Sequence, residues 1–274
     1  MSAPQLTPPA NACDCHIHIY EDRFPLVPQA VSKPPHAPLS EYRDVQSALG
    51  LSRVVLVQPN GYGFDNSCML EALAELGDTA RAIAIVPTDV NDAELQRLTD
   101  AGVRGIRYFL LPGGMLPWES LSKMAARVAH FGWHVQLQLD GRALPRYVDS
   151  LGRLPGQLVI DHNGKFLEPV GTGHPGFQSL IRLMRRGKTW VKLSAPYETS
   201  KVGPPHYDDV GTLAKALVKA NPERCLWASN WPHPGRNPRP DTAALLDLLL
   251  EWADDEATRQ RILVDNPAQL YGFG

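Results

Sequence analysis

The chain has 274 residues, of which 43 % are hydrophobic and 20 % are charged. This composition allows a sizeable core and excludes general disorder. The formal net charge is -2, which argues against a surface for nucleic acid or for an anionic membrane, because such surfaces concentrate positive charge. It leaves room for a local basic pocket that takes an acidic small molecule.

Four cysteines are spread through the chain without the close pairs of a zinc ribbon or the density of a disulfide framework. Residues 1–11 are rich in proline and predict a loose amino-terminal arm, and they lack the basic and apolar regions of a signal peptide. No apolar run reaches the roughly 18 residues of a membrane span. We therefore expect a cytoplasmic protein. Because no linker or composition break divides residues 1–274, we expect one domain.

The predicted first strand, residues 13–20, contains the most informative motif. Strict alternation places Asp14, His16 and His18 on one face and leaves the cysteines and isoleucines of the stretch for the face under the helices. Such a polar face suits a strand that lines a barrel, with Asp14 orienting one of the histidines. A His-x-His motif alone is a weak signal, because two histidines are often satisfied by hydrogen bonds in a polar core.

A long connection with five prolines follows this strand, over residues 21–39. Proline lacks an N–H and restricts φ, so the stretch cannot form a regular helix or a central strand. Connections of this length in compact domains are usually functional or mobile. Its position directly after the His-x-His motif predicts a lid over the site.

Strand and helix patterns then alternate along the chain. Further strands are predicted at 53–58, 80–86, 103–109, 133–139, 157–161, 190–194 and 225–228. The helices that follow the eight strands are predicted at 40–49, 65–76, 92–101, 117–131, 143–151, 176–186, 208–220 and 242–252, and a closing helix is expected near the carboxyl terminus. Eight such units in about 250 residues predict a (β/α)₈ TIM barrel. A doubly wound open sheet is the alternative, but no Gly-x-Gly-x-x-Gly follows an early strand.

In a barrel of this kind, the chemistry lies at the carboxyl ends of the strands. Polar side chains stand at six or more of these ends, which is more than packing explains. They are His16, His18, Gln58, Arg107, Gln136, Gln138, Asp161, His162, Lys165, Lys192, Ser194, Tyr197 and Asn230. We therefore expect these side chains to converge on one site.

Four stretches together carry a resemblance to a known family: residues 13–18 on strand one, 160–165 on strand six, 191–194 on strand seven and 231–234 after strand eight. They resemble the amidohydrolase superfamily, in its lactone-processing branch around 2-pyrone-4,6-dicarboxylate lactonase. The resemblance covers nearly the whole chain. It implies an amidohydrolase-like TIM barrel and a carboxylated lactone as the small-molecule partner. No nucleic acid or membrane partner is expected, and the oligomeric state is left open.

The metal pattern of the superfamily is incomplete in this chain. The resemblance implies that metal-dependent members add a histidine on strand five and an aspartate at the end of strand eight. Here strand five carries glutamines, and Asn230 ends strand eight. We expect no cofactor, as the lactonase branch implies. The alternative is a single divalent metal held by His16, His18 and His162, since three imidazoles are able to bind zinc.

The resemblance also implies that the lactonase uses an aspartate as the general base for water at the position of Asn230. An amide cannot accept a proton at neutral pH. A hydroxyl of the substrate itself is still able to attack, because an intramolecular nucleophile reaches an effective molarity of up to ~10⁵–10⁸ M. The resemblance therefore favours isomerisation of the 1,5-lactone of a sugar diacid to its 1,4-lactone.

Two other functions stay open. The first is a lactone hydrolase that uses a different base, for which Asp22, Asp140 and Asp161 are the candidates. The second is a non-catalytic binder of acidic sugars, which has lost its base and predicts saturable binding without turnover.

The resemblance assigns the catalytic roles to strands one, six and eight. His16, His18 and His162 would donate hydrogen bonds to the lactone carbonyl oxygen as charge develops on it. Asn230 would bind a sugar hydroxyl in the place of the missing base.

The remaining predicted residues bind the substrate. Arg107, Lys165 and Lys192 would hold carboxylates, and Gln138 and Tyr197 would bind hydroxyls. For Lys192 an ion pair with Asp140 or Asp161 is the alternative.

Overall fold

The computed structural model of the chain describes residues 3–31 and 33–274. Its strands are β1 (Cys13–Ile17), β2 (Arg53–Val57), β3 (Ala80–Ala84), β4 (Val103–Phe109), β5 (His134–Gln138), β6 (Leu158–Ile160), β7 (Thr189–Ser194) and β8 (Cys225–Ala228). They form one sheet in the order of the sequence, and every neighbouring pair is parallel. The chain after β8 returns to β1, where the backbone N–H of Asn230 donates to the backbone carbonyl of His16 at 3.0 Å. The predicted (β/α)₈ barrel is confirmed.

The helices surround this barrel. They are α1 (Leu39–Leu49), α2 (Ser67–Leu76), α3 (Asp92–Asp100), α4 (Leu121–Ala129), α5 (Leu144–Gly152), α6 (Pro175–Arg185), α7 (Asp208–Ala220), α8 (Thr242–Asp247), α9 (Leu249–Trp252), α10 (Glu256–Gln260) and α11 (Asn266–Tyr271). A π-helical turn, Arg261–Asp265, joins the last two. The helix predicted at 242–252 is divided at Leu248 into α8 and α9. None of the described helices is both long and apolar enough to cross a membrane.

The barrel wall separates two apolar clusters. The larger one lies between strands and helices, and the smaller one fills the barrel interior with side chains such as Val55, Trp190 and Leu226. Tyr271 and Phe273, from the carboxyl-terminal segment, belong to the interior cluster and close the barrel at the end opposite the site. A barrel filled in this way is a packed core rather than a channel, so the site is confined to one end.

A β-bulge in β1 makes the prediction of strict alternation wrong. Cys13 and Asp14 lie opposite Arg53 and Val54 of β2, but the next partner pair is Ile17 with Leu56. Three steps along β1 therefore match two steps along β2. One extra residue in a strand reverses the faces of everything that follows it.

The bulge explains where the side chains of β1 point. Cys13 and Cys15 belong to the barrel interior, whereas Ile17 belongs to the cluster under the helices. Asp14 does not orient an imidazole. Its carboxylate accepts from the Ser229 amide at 2.9 Å and from the Tyr42 hydroxyl of α1 at 3.3 Å. The aspartate thus ties β1 to the end of β8 and to α1.

The predicted amino-terminal arm has no regular structure in its described part, residues 3–11, while residues 1 and 2 lie outside the description. Leu6 is nevertheless buried. Its backbone amide and that of Gln5 donate to the Asp247 carboxylate on α8, each at 2.8–2.9 Å. This end of the arm is therefore anchored against the barrel.

Candidate active site

A pocket opens at the carboxyl end of the barrel. Its volume is about 210 Å³, below the roughly 300–1,000 Å³ of sites for drug-sized ligands, so it suits a small metabolite. Six of the nine predicted site residues line the pocket: His18, Arg107, Gln138, His162, Lys165 and Asn230. The other three do not line the wall: His16 contacts His18, Tyr197 contacts Asn230, and Lys192 contacts His16 in turn.

The proline-rich connection also contributes to the pocket wall, through residues that include Val31 and Pro34. At its two ends, Tyr20 and Ala37 exchange backbone hydrogen bonds of 2.9 and 2.7 Å. Residue 32 of the predicted lid lies outside the described ranges. Within the described part of the loop, Ala30, Val31 and Pro34 form one side of the pocket, and its role as a lid stays a prediction.

Hydrogen bonds fix the tautomers of the first two histidines. His18 Nδ1 lies 2.7 Å from the Val57 carbonyl oxygen, which only accepts, so this nitrogen carries the proton. His18 Nε2 must then accept from His16 Nε2 at 3.2 Å. His16 Nδ1 is left as an acceptor, and the Lys192 ammonium donates to it at 3.2 Å. All four ring nitrogens are occupied within the protein.

Both imidazoles are held neutral. Burial is the main cause, and it lowers the pKa of His18 to about 3, with nearby Arg107 acting in the same direction. Burial and the Lys192 charge hold the pKa of His16 well below its usual value. Neither ring is therefore a cation at neutral pH.

Lys192 lies beneath the pocket and is completely buried. Its ammonium donates to Gln136 Oε1 at 2.6 Å and to His16 Nδ1 at 3.2 Å, and it lies 3.6 Å from Asp161 Oδ1. Gln136 in turn donates to Asp161 Oδ2 at 3.1 Å. Burial lowers the pKa of Lys192, and Asp161 opposes that shift. The ion pair with Asp161, which the sequence left as an alternative, is present.

An unusual backbone run follows β6. The four residues 162–165 all have positive φ, between 48° and 92°, a region that costs a residue with a Cβ about 1–3 kcal/mol. Gly164 sits where a Cβ would meet the Phe166 ring at 2.7 Å. The turn places both His162 and Lys165 on the pocket wall. His162 Nδ1 is 2.8 Å from the Ser194 hydroxyl, and no described residue hydrogen-bonds to its Nε2.

Three other wall residues, Arg107, Gln138 and Asn60, each hold a buried polar atom without a hydrogen-bond partner among the described residues. Arg107 is 5 % exposed, and its Nη1 donates to the Gln58 carbonyl at 2.8 Å. Its Nε, like Gln138 Oε1, is buried without a hydrogen bond among the described residues. Because buried polar groups are nearly always paired, such atoms in a pocket wall indicate a polar ligand.

Among the described wall residues, one charged residue, Glu198, was not among the predicted site residues. Its carboxylate forms an ion pair with Lys165 and accepts from Asn230 Nδ2 at 3.2 Å. Asn230 Nδ2 also donates to the Tyr197 hydroxyl at 2.9 Å, and that hydroxyl lies 2.9 Å from His233 Nδ1. Asn230 is therefore a hydrogen-bond donor held between two partners, and Tyr197 and His233 support it from behind.

A signal for Glu198 was available in the sequence. The residue lies in the short 3₁₀ turn Pro196–Glu198 that directly follows β7. Ala195 enters this turn with φ of 46°, which turns the chain back over the barrel mouth. Glu198 would have been predicted if the candidate site residues had included the first turn after each strand.

The three carboxylates proposed as alternative bases lie elsewhere. Asp140 is held by the Arg142 guanidinium in hydrogen bonds of 2.6–3.1 Å. Asp22 is 75 % exposed and lies 3.5 Å from His36. Asp161 is fully buried beneath the pocket. None of the three lines the pocket.

A metal-binding set exists in part. Ligand atoms of His16, Asp161 and His162 lie within 4.8 Å of one another. His18, which the sequence placed in such a set, does not belong to this cluster. The Lys192 ammonium already contacts His16 and Asp161. The ammonium therefore occupies two of the three groups that this set would offer to a divalent cation.

The family assignment rests on a model described as amidohydrolase, which matches residues 13–273. The chain belongs to the amidohydrolase family. It is 34 % identical to D-galactarolactone isomerase of Agrobacterium fabrum (strain C58) over 275 residues, which cover 98 % of this chain and 94 % of that protein. It is 35 % identical to 2-pyrone-4,6-dicarbaxylate hydrolase of Comamonas testosteroni, covering 98 % and 93 %.

A solved structure has nearly the same fold as this chain. The apo crystal structure of an Agrobacterium tumefaciens protein matches with a TM-score of 0.94 at 34 % identity, covering 99 % of each chain. The resemblance predicted from the strand-end motifs is confirmed.

Proposed function

We propose that this amidohydrolase isomerises the 1,5-lactone of a sugar diacid to the 1,4-lactone by attack of the substrate's own hydroxyl. The observation that carries the proposal is Asn230, a wall residue whose amide donates to Tyr197 and Glu198. An amide in this place cannot activate water. The 34 % identity to a D-galactarolactone isomerase over 98 % of the chain supports the same substrate class.

The charge of the pocket favours a lactone with one carboxylate. Among the described wall residues, Arg107 and Lys165 are cations and Glu198 is a carboxylate, while the histidines are neutral. One positive charge is left over. The lactone of a sugar diacid has one free carboxylate, because the other is part of the ester. An open diacid or a dicarboxylate lactone would leave an unpaired negative charge.

Arg107 is the best candidate to hold that carboxylate. Lys165 is already paired with Glu198, whereas part of the Arg107 guanidinium has no partner among the described residues. The guanidinium is suited to bidentate contact with a carboxylate. Gln138 and Asn230 would bind the hydroxyls.

We assign the contact with the lactone carbonyl to His162 rather than to all three histidines. If the Ser194 hydroxyl donates to Nδ1, the proton of His162 is on Nε2, the nitrogen without a protein partner. His16 and His18 have their ring nitrogens engaged and support the wall. Lys192 takes the role of a buried cation beneath the site rather than a direct contact with the substrate.

The same lysine supports catalysis without a metal. The Lys192 ammonium contacts His16 and Asp161, two of the three groups that a divalent cation would use. Dialysis against EDTA is therefore expected to leave kcat unchanged, and metal analysis of the purified protein is expected to find far less than one ion per chain. Loss of activity on chelation, with recovery on adding zinc, would contradict this proposal.

The affinity for the lactone is expected to fall at alkaline pH. Burial lowers the pKa of Lys165 to about 8, with smaller contributions from Arg236 and Arg107, and Asp161 opposes the shift. The direct contact with Glu198 also opposes it, so we expect the loss at about pH 8 or above. The lysine is protonated below its pKa, and above it the pocket loses its positive charge. KM should therefore rise with pH, and Lys165→Arg should remove this rise because guanidinium stays protonated.

The test of the proposed function is an NMR time course. The protein is mixed with freshly made D-galactaro-1,5-lactone, and carbon and proton spectra are compared with a sample without protein. Rapid appearance of the 1,4-lactone without free diacid is the expected result. Accelerated formation of the open diacid would mean that water is activated, as in a hydrolase, and unchanged rates would leave only binding.

A further inference from the structure

We propose that Glu198 is the group that accepts and returns the proton during ring exchange. This inference rests on the proposed isomerase function. It deepens that function by naming a proton acceptor, which an asparagine at the end of β8 cannot be.

Position and surroundings point to Glu198. Among the described residues that line the pocket, it is the one with a carboxylate, and it shares the wall with His162 and Arg107. Its side chain is 16 % exposed, and that of Lys165 is 10 % exposed. A carboxylate that is shielded from bulk water but open to the ligand is suited to proton transfer with a bound substrate.

Its two neighbours hold the carboxylate in its charged form. One oxygen contacts the Lys165 ammonium, and the other accepts from Asn230 Nδ2 at 3.2 Å. Both partners are donors, and donors stabilise the ionised state of a carboxylate. The ionised state is the one required to take a proton from a hydroxyl.

The step balances without water or any other reactant. The 4-hydroxyl oxygen of the substrate attacks the lactone carbonyl carbon, a C–O bond forms, and the hydroxyl proton passes to Glu198. The tetrahedral intermediate then collapses, the bond from that carbon to the 5-oxygen breaks, and Glu198 returns its proton to the 5-oxygen. The two oxygens are attached to adjacent carbons, so one carboxylate is able to serve both. The enzyme ends in its starting protonation state.

This role also explains the asparagine. An aspartate at position 230 would bring a second carboxylate to the position from which Nδ2 now donates to Glu198 at 3.2 Å. Two carboxylates at that distance do not both ionise readily, because each raises the pKa of the other. The amide instead supplies a donor. Glu198 and Asn230 are therefore complementary, because the carboxylate accepts the hydrogen bond that the side-chain amide donates.

The direct test is Glu198→Gln, assayed by NMR with D-galactaro-1,5-lactone. We expect kcat to fall by about 10²–10⁴-fold, the usual contribution of a general acid–base group. We expect KM to stay equal or to decrease, because the pocket loses a negative charge. Glu256→Gln on the surface of α10 is the matched control and should behave as the original protein. A kcat within about fivefold of the original would overturn the proposal.

A second pair of measurements separates catalysis from structure. Glu198→Asp keeps a carboxylate on a shorter side chain and should recover part of kcat, which a purely structural role would not require; equal losses in the Asp and Gln variants would overturn the proposal. Asn230→Asp should move the acid limb of the kcat profile to higher pH, because the paired carboxylates share a proton. If the acid limb of the kcat profile lies at the same pH in Asn230→Asp as in the original protein, the proposed pairing of residues 198 and 230 is wrong.

The failure of this inference is distinguishable from failure of the proposed function. If the original protein produces no 1,4-lactone, the isomerase proposal itself fails. If the original protein and Glu198→Gln both produce it at similar rates, the function stands and Glu198 is not the proton carrier. Should Glu198→Gln fail to fold, shown by loss of its thermal transition, Glu198→Asp and Asn230→Asp decide the question.

Discussion

Replacing His162 by asparagine is expected to lower kcat for the lactone by about 10²–10³-fold, the usual effect of removing one donor to a developing oxyanion. The asparagine amide approximates the position of Nδ1 and is able to keep the contact with the Ser194 hydroxyl, which is 2.8 Å long in the original protein. The asparagine side chain has no atom at the position of the histidine Nε2. The substitution therefore removes the proposed contact with the carbonyl and little else.

The measurement is the initial rate of 1,4-lactone formation by NMR, at saturating substrate and again at low substrate. We expect kcat and kcat/KM to fall together, as for an interaction made mainly in the transition state. His130→Asn is the control, since His130 is exposed at the end of α4. A change confined to KM would instead mean that His162 binds the ground state.

Replacing Lys192 by methionine is expected to destabilise the protein by about 3–5 kcal/mol, the usual cost of breaking a buried ion pair. Lys192 and Asp161 are both fully buried, and their charged atoms lie 3.6 Å apart. Methionine has a similar length and no charge, so it leaves the Asp161 carboxylate without its cation. Thermal unfolding followed by circular dichroism measures the loss. The double variant Lys192→Met with Asp161→Asn should recover much of it, because no uncompensated charge remains.

The same variant tests whether the lysine excludes a metal. Removing the ammonium frees donor atoms of His16 and Asp161, which together with His162 lie within 4.8 Å of one another. Zinc should therefore raise the unfolding temperature of Lys192→Met but not that of the original protein. Equal stabilisation of both proteins, or of neither, would show that Lys192 is not what excludes the ion.

The sequence alone predicted the barrel and six of the residues that line the pocket. The alternation of eight strands with helices predicts a (β/α)₈ barrel, and in such a barrel all strands end on one face. The topology therefore predicts that residues far apart in the chain, such as His18, Arg107 and His162, meet at one site, although the sequence gives no distance between them. Element boundaries moved by a few residues, and the last predicted outer helix was divided in two.

Three features were decided only by the tertiary structure, each for a physical reason. The bulge in β1 depends on the register of β1 against β2. These strands are 40 residues apart in the chain, as the pairing of Cys13 with Arg53 shows. Alternation within one strand carries no information about that register. The position of Lys192 beneath the pocket depends on its depth in the barrel, where Asp161 and Gln136 offer acceptors. The contact of Glu198 with Asn230 joins two loops after different strands, and left-handed backbone at Ala195 and Asn230 directs them toward each other.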